Sequence, residues 1–134
     1  MKKISIGYFA DGPWSHEALK KITSDETIKI KFICARDDMP DKILKSAALK
    51  LGIDFFTHPR INSDDFYDQV SGYECDLFVS MSFNQIFKSK LINLPPLKII
   101  NCHAGKLPFY RGRNVLNWVL INDEREFGIT VHYV

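Results

Sequence analysis

Two rhythms of apolar and polar positions alternate along the chain. Lys3 to Ala10 is mostly apolar with little alternation, as expected of a strand buried on both faces. Asp11-Gly12-Pro13 breaks that run, and Trp14, Ala18, Leu19 and Ile22 then recur at helical spacing. Ile28 to Ala35, rich in β-branched and aromatic residues, reads as a second strand. Asp38, Pro40 and Asp41 open a helix whose stripe is Ile43, Leu44, Ala47, Ala48 and Leu51, and Gly52 stops it. Ile53 to Thr57 is a short third strand, and Ser63 caps a brief helix carrying Phe66 and Val70 that ends near Gly72. Asp76 to Ser82 is a fourth strand, followed by a polar loop at Asn84-Gln85 and a short helix from Phe87 to Ile92. Leu97 to Cys102 is a fifth strand, and Asn114 to Asn122 is a helix with Val115, Leu116, Val119 and Leu120 at its spacing. Phe127 to Val134 alternates cleanly, with Phe127, Ile129, Val131 and Tyr133 on one side. Strands that alternate with helices predict an α/β fold, a doubly wound and mostly parallel sheet in a single domain over residues 1–134.

Composition narrows the classes without naming one. The chain of 134 residues is long enough for one domain with a real core. Its net charge of +2 gives no argument for a nucleic-acid or membrane partner. The apolar stretch behind Met1-Lys2-Lys3 ends at Asp11, too early for a signal peptide, and no segment reaches membrane-spanning length. Cys34, Cys75 and Cys102 are odd in number and far apart, which fits reduced thiols rather than a disulfide framework or a metal site. These features predict a cytoplasmic protein without a bound metal. Gly7 and Gly12 have the first spacing of a phosphate-binding P-loop, but Pro13-Trp14 stand where Lys and Ser or Thr are needed. No GxGxxG follows the first strand. Ligands are still expected outside the carboxyl ends of the strands, where the order of a doubly wound sheet reverses.

Chemistry concentrates after the fifth strand. In an extended segment, residues two apart point to the same side, so Asn101 and His103 face one spot while Cys102 points away. An amide can hold a developing oxyanion and an imidazole can move a proton, which together suit acyl transfer. The bland alternative is a paired surface Asn and His. A Cys102–His103 thiol mechanism is disfavoured because adjacent strand residues face opposite ways. Arg111 and Arg113 have two readings: guanidinium forks for phosphate oxygens, or pins from their loop to nearby carbonyls. Trp14, just past the first strand, either lines an acceptor site or packs at the first helical turn.

The stretch Asn101-x-His103-x-x-x-Leu107-Pro108-x-x-Arg111-Gly112 resembles the signature of formyltransferases that use N10-formyltetrahydrofolate, and the likeness runs from about Lys3 to Val134. The continuation from Arg111 to Asn122, and then Gly128-Ile129-Thr130-Val131-His132, is most similar to the branch acting on amino sugars of sugar nucleotides. The resemblance implies a Rossmann-like domain in which an acceptor amine attacks the formyl carbon of the folate. His103 then relays the proton and Asn101 donates to the oxyanion. It further implies that Phe83, Asn84, Gln85, Ile86 and Phe87 wrap the pterin, and that Trp14, Arg111 and Arg113 meet the nucleotide sugar. Such an activity would feed surface-polysaccharide (lipopolysaccharide O-antigen) synthesis. Gly105 departs from the pattern, since many members carry Ser there.

The same resemblance places a third catalytic residue, an Asp, a few positions past the Gly-x-Thr-Val-His strand, where this sequence has stopped. The chain is therefore expected to be part of a longer protein, inactive by itself, with further segments able to form a homodimer. Three alternatives stay open. The acceptor could be methionyl-tRNA, although no basic arm is present. It could be glycinamide ribonucleotide, although the first loop lacks the Gly/Ser-rich phosphate site expected there. Or the chain could be a catalytically idle folate-binding module.

Overall fold

The computed structural model describes residues 2–134. Six strands form one sheet in the order β3-β2-β1-β4-β5-β6. These are β1 (Ile4–Ala10), β2 (Ile28–Ala35), β3 (Asp54–Thr57), β4 (Leu77–Met81), β5 (Ile99–His103) and β6 (Thr130–Tyr133). The first five run parallel, and β6 joins the edge of β5 antiparallel. The expected doubly wound α/β architecture is thus present, and its strand order reverses between β1 and β4.

Alternate residues of the central strands feed two cores. Ile6, Tyr8 and Ala10 pack under α1 (Gly12–Ser24) and α2 (Lys42–Leu51), joined by Leu19, Leu44 and Ala48. Phe9, Phe32 and Phe78 face the other way, toward α3 (Asp64–Ser71) and α4 (Ser89–Ile92), whose Phe66, Val70 and Leu91 complete an aromatic-rich cluster. The register of β1 against β2 slips at Ile6/Gly7, skipping Lys31, so that Ile30 and Ile33 share a core despite their odd spacing. Gly7 makes this possible, because a Cβ there would come within 2.3 Å of the Phe32 ring.

Local signals fixed most boundaries. Asp41 caps α2 by accepting from Ile43 and Leu44, Ser63 caps α3 by accepting from Phe66, and Gly52 closes α2 in the left-handed region. Several expectations are revised. The helix α1 begins at Gly12 and takes the Gly-Pro pair into its first turn rather than following it, since Pro is tolerated there. The strand β5 starts at Ile99, because Lys98 turns through positive φ, and it extends through His103. Only four residues of α4 are helical. In α2 the stripe narrows to Leu44 and Ala48 with Ala47 half-buried beside them, leaving Ile43 and Leu51 exposed.

Residues Val115–Ile121 form α5, which buries Val115 and Val119 but exposes Leu116 and Leu120. The alternation of β6 is observed, with its apolar side, Val131 and Tyr133, turned to the surface. No helix among the described residues is long and apolar enough to cross a membrane.

Candidate active site

The carboxyl ends of β1, β4 and β5 meet at the reversal of strand order, tied by a hydrogen bond from the Asp11 amide to the Met81 carbonyl at 3.1 Å. A cavity of about 550 Å³ opens there. Its walls include Asn101 and His103 from β5, Phe83 and Asn84 after β4, Arg36 and Asp38 after β2, and Arg113 from the long loop behind β5.

Strand register builds the polar centre. Directly opposed residues of an antiparallel pair point to the same side. Asn101 pairs with His132 and His103 with Thr130, so four polar side chains line one face of the β5–β6 ribbon. Cys102 pairs with Val131 on the other face. The Asn101 amide nitrogen lies 3.5 Å from Nε2 of His132. Nδ1 of His132 lies 2.8 Å from the Tyr133 carbonyl. A carbonyl can only accept, so in the neutral ring Nδ1 carries the proton and Nε2 presents a lone pair to the Asn101 amide. That leaves the second amide hydrogen free for an oxyanion. His103 makes the opposite choice: its Nε2 donates to the Tyr110 carbonyl at 2.8 Å, leaving Nδ1 as the acceptor. His132, in contact with Asn101, figures in the sequence only as the end of a family-like stretch and not as a candidate; its signal is parity, because it shares the polar side of β6 with Thr130.

Carboxylates and one arginine hold the β1 and β2 ends of the cavity. Arg36 forks onto Asp38 at 2.7 and 3.0 Å and reaches Asp11 at 3.5 Å. Burial pushes the Asp11 carboxyl above its usual range despite Arg36, whereas the Arg36 hydrogen bond holds Asp38 below it. The amide of Gly12 donates to Asp41 at 3.0 Å, and His16 meets the same carboxylate oxygen at 2.7 Å.

The remaining expected residues divide. Trp14 lines a neighbouring cavity of about 440 Å³ with Asp11 and Ser82, its ring edge-on to Phe127. Gln85 turns away from the main cavity: its amide donates to the His58 carbonyl and accepts from the Ile61 amide, pinning the turn before α3. Phe87 is buried against Phe9, and Ile86 points to the surface. Arg111 donates to the Pro108 carbonyl at 3.0 Å, the loop-pinning alternative of its two readings. Burial raises the Cys102 thiol, which leaves little thiolate at neutral pH. Among the described residues no cluster of three His, Cys, Asp or Glu side chains is placed to hold a metal.

Fold and site together define a doubly wound α/β protein with an amide–imidazole pair at its topological switch point. The model of the formyl transferase family matches residues 3–134, so the chain belongs to that family. It is 27% identical over 139 residues to the methionyl-tRNA formyltransferase of Finegoldia magna, covering 98% of this chain and 45% of that protein. It is 37% identical over 87 residues to the same enzyme of Trichlorobacter lovleyi, covering 65% of this chain and 28% of that one. The chain thus spans less than half the length of these curated relatives. Among solved structures, the phosphoribosylglycinamide formyltransferase of Anaplasma phagocytophilum superposes with a TM-score of 0.80 at 26% identity, covering 99% of this chain and 65% of that one. A formyltetrahydrofolate deformylase of Pseudomonas syringae does so with 0.78 at 22% identity, covering 100% and 46%. None of these names carries the sugar-nucleotide acceptor expected from residues 111–122.

Proposed function

We propose that this chain carries the catalytic centre of an N-formyltransferase that moves a formyl group from N10-formyltetrahydrofolate to a primary amine. The observation that carries the reading is the shared side of Asn101 and His103 at the carboxyl end of β5, facing a cavity large enough for a flat ligand. The amine attacks the formyl carbon, and the carbonyl oxygen becomes an oxyanion to which the Asn101 amide donates. Nδ1 of His103 takes a proton from the attacking nitrogen and returns it to N10 as the carbon–N10 bond breaks. The products are the N-formyl acceptor and tetrahydrofolate. Phe83 and Asn84 are the residues of the expected pterin loop that border this cavity, so they are the side chains proposed to meet the donor.

Of the acceptors considered, methionyl-tRNA is the one the curated relatives favour, and this reading replaces the expectation of no nucleic-acid partner. Glycinamide ribonucleotide fits less well. The first loop lacks the Gly/Ser-rich stretch that such an acceptor's phosphate is expected to need, and its Gly12 amide already donates to Asp41. The nucleotide-linked amino sugar keeps only the sequence likeness of residues 111–122 and 128–132 behind it.

The test is tetrahydrofolate release with N10-formyltetrahydrofolate and, in separate reactions, methionyl-tRNA, glycinamide ribonucleotide and a nucleotide-linked amino sugar. Release that depends on one amine and is lost in His103→Ala supports the reading and names the acceptor. No release with any amine, together with no saturable binding of 5-formyltetrahydrofolate, would sink it.

A further inference from the structure

Gly105 sits between the two partners of the His103 hydrogen bond. A Cβ built on it would lie 2.6 Å from Nε2 of His103, 2.6 Å from the Tyr110 carbonyl oxygen and 2.9 Å from Cδ2 of the imidazole. Carbon atoms do not approach that closely, so on this backbone a Cβ would push the imidazole and the carbonyl apart. Backbone conformation does not demand the glycine, because Gly105 is absent from the positive-φ positions of the chain, which include Gly12, Gly52 and Gly112. Nor can the backbone easily retreat. The Gly105 carbonyl accepts from the Thr130 hydroxyl at 2.7 Å and from the Leu107 amide at 3.2 Å, and its own amide donates to the His103 carbonyl at 2.9 Å.

The far side of the contact is also held. Tyr110 adopts a left-handed conformation, with φ of 52°, uncommon for a residue with a side chain. Its hydroxyl donates to Glu124 at 2.6 Å and accepts from the Asn122 amide at 3.3 Å. Anchoring the ring in this way fixes where the Tyr110 carbonyl points.

We propose that Gly105 and Tyr110 are positioning residues for His103: the absent side chain admits the Tyr110 carbonyl to Nε2, which selects the imidazole tautomer that leaves Nδ1 as base. A neutral carbonyl accepts from Nε2–H whether or not Nδ1 is protonated, so the ring keeps its orientation through proton uptake and release. The kinetic consequence rests on the formyl-transfer reading; the tautomer assignment does not.

Long-range proton–nitrogen NMR of histidine-labelled protein reads the tautomer directly, with His103 assigned by difference from His103→Gln. The unmutated chain should show His103 protonated at Nε2 in its neutral form. Gly105→Ala should shift it toward the other tautomer and lower kcat about 10²-fold, the scale of a misplaced catalytic group, with KM for the folate little changed. Tyr110→Phe keeps the carbonyl but loses the anchor, and should give a mixed tautomer with a smaller fall in kcat. The proposal is overturned by an Nδ1–H tautomer in the unmutated chain. It is equally overturned by a kcat loss in Gly105→Ala without a tautomer change, which would mark a merely structural glycine. If Gly105→Ala does not fold, Tyr110→Phe decides: a mixed tautomer supports the contact, and an unmixed Nε2–H tautomer overturns it. Absence of both transferase activity and saturable 5-formyltetrahydrofolate binding in the unmutated chain would defeat the functional reading and leave the tautomer result standing.

Discussion

In the proposed reaction, Asn101 and His103 divide the work of formyl transfer by chemistry that neither can exchange. An amide nitrogen donates without titrating, so Asn101→Ala should lower kcat about 10²–10³-fold at every pH, with little change in folate binding. His103→Ala removes the proton relay, and the loss should be about 10²–10⁴-fold. Steady-state kinetics of each variant beside the unmutated protein would check both values. Cys102 provides the contrast. Its side chain shares a face with Val131 rather than with Asn101, and burial keeps its thiol protonated. Cys102→Ala should therefore retain activity to within about threefold, the range of a conservative change away from the reacting atoms. A loss comparable to that of His103→Ala would revive a thiol mechanism.

At the scale of elements, the α2 N-terminus holds the first loop in place. One oxygen of Asp41 accepts from Ile43 and Leu44, and the other accepts from Gly12 and meets His16. Burial alone would raise this carboxyl, but the hydrogen bonds from Leu44, Gly12 and His16 together outweigh it and hold the group below its usual range. A depressed carboxyl contributes stability above the unfolded value near about 3.9 and loses it as pH falls through the folded value. Asp41→Ala should cost about 1–2 kcal/mol in urea melts at neutral pH, and the difference from the unmutated chain should shrink below about pH 4. An undiminished difference in acid would remove the carboxylate from the account. The β1–β2 pair makes a separate prediction. Gly7→Ala forces a Cβ to within 2.3 Å of Phe32 and 2.8 Å of Phe78, both part of the core, and should destabilise by about 1–3 kcal/mol by overpacking.

Across the whole molecule, Phe9 links the core to the site. Its ring meets those of Phe32, Phe66, Phe78, Phe83 and Phe87, and Phe83 in turn borders the main cavity. Phe9→Ala should cost about 3–5 kcal/mol in denaturant melts. It should also weaken 5-formyltetrahydrofolate binding measured by calorimetry, whereas a purely local core role would leave that affinity intact. Most of this architecture was legible in the chain. Buried parallel strands show as short apolar runs, helices show as stripes with Asp41, Ser63 and Gly52 marking their ends, and the Asn101–His103 pair follows from a period of two. These are local properties, set by backbone geometry within a few residues. What the sequence did not reveal is non-local. Gln85 and Phe87 looked like cavity residues, but loop side chains have no period, and packing turned one to the turn before α3 and the other into the core. The polar side of β6 reads as solvent-facing in an alternating strand. Only its antiparallel register against β5 sets His132 opposite Asn101 and Thr130 opposite His103, because a strand's partner and register are fixed by contacts that no stretch of sequence contains alone.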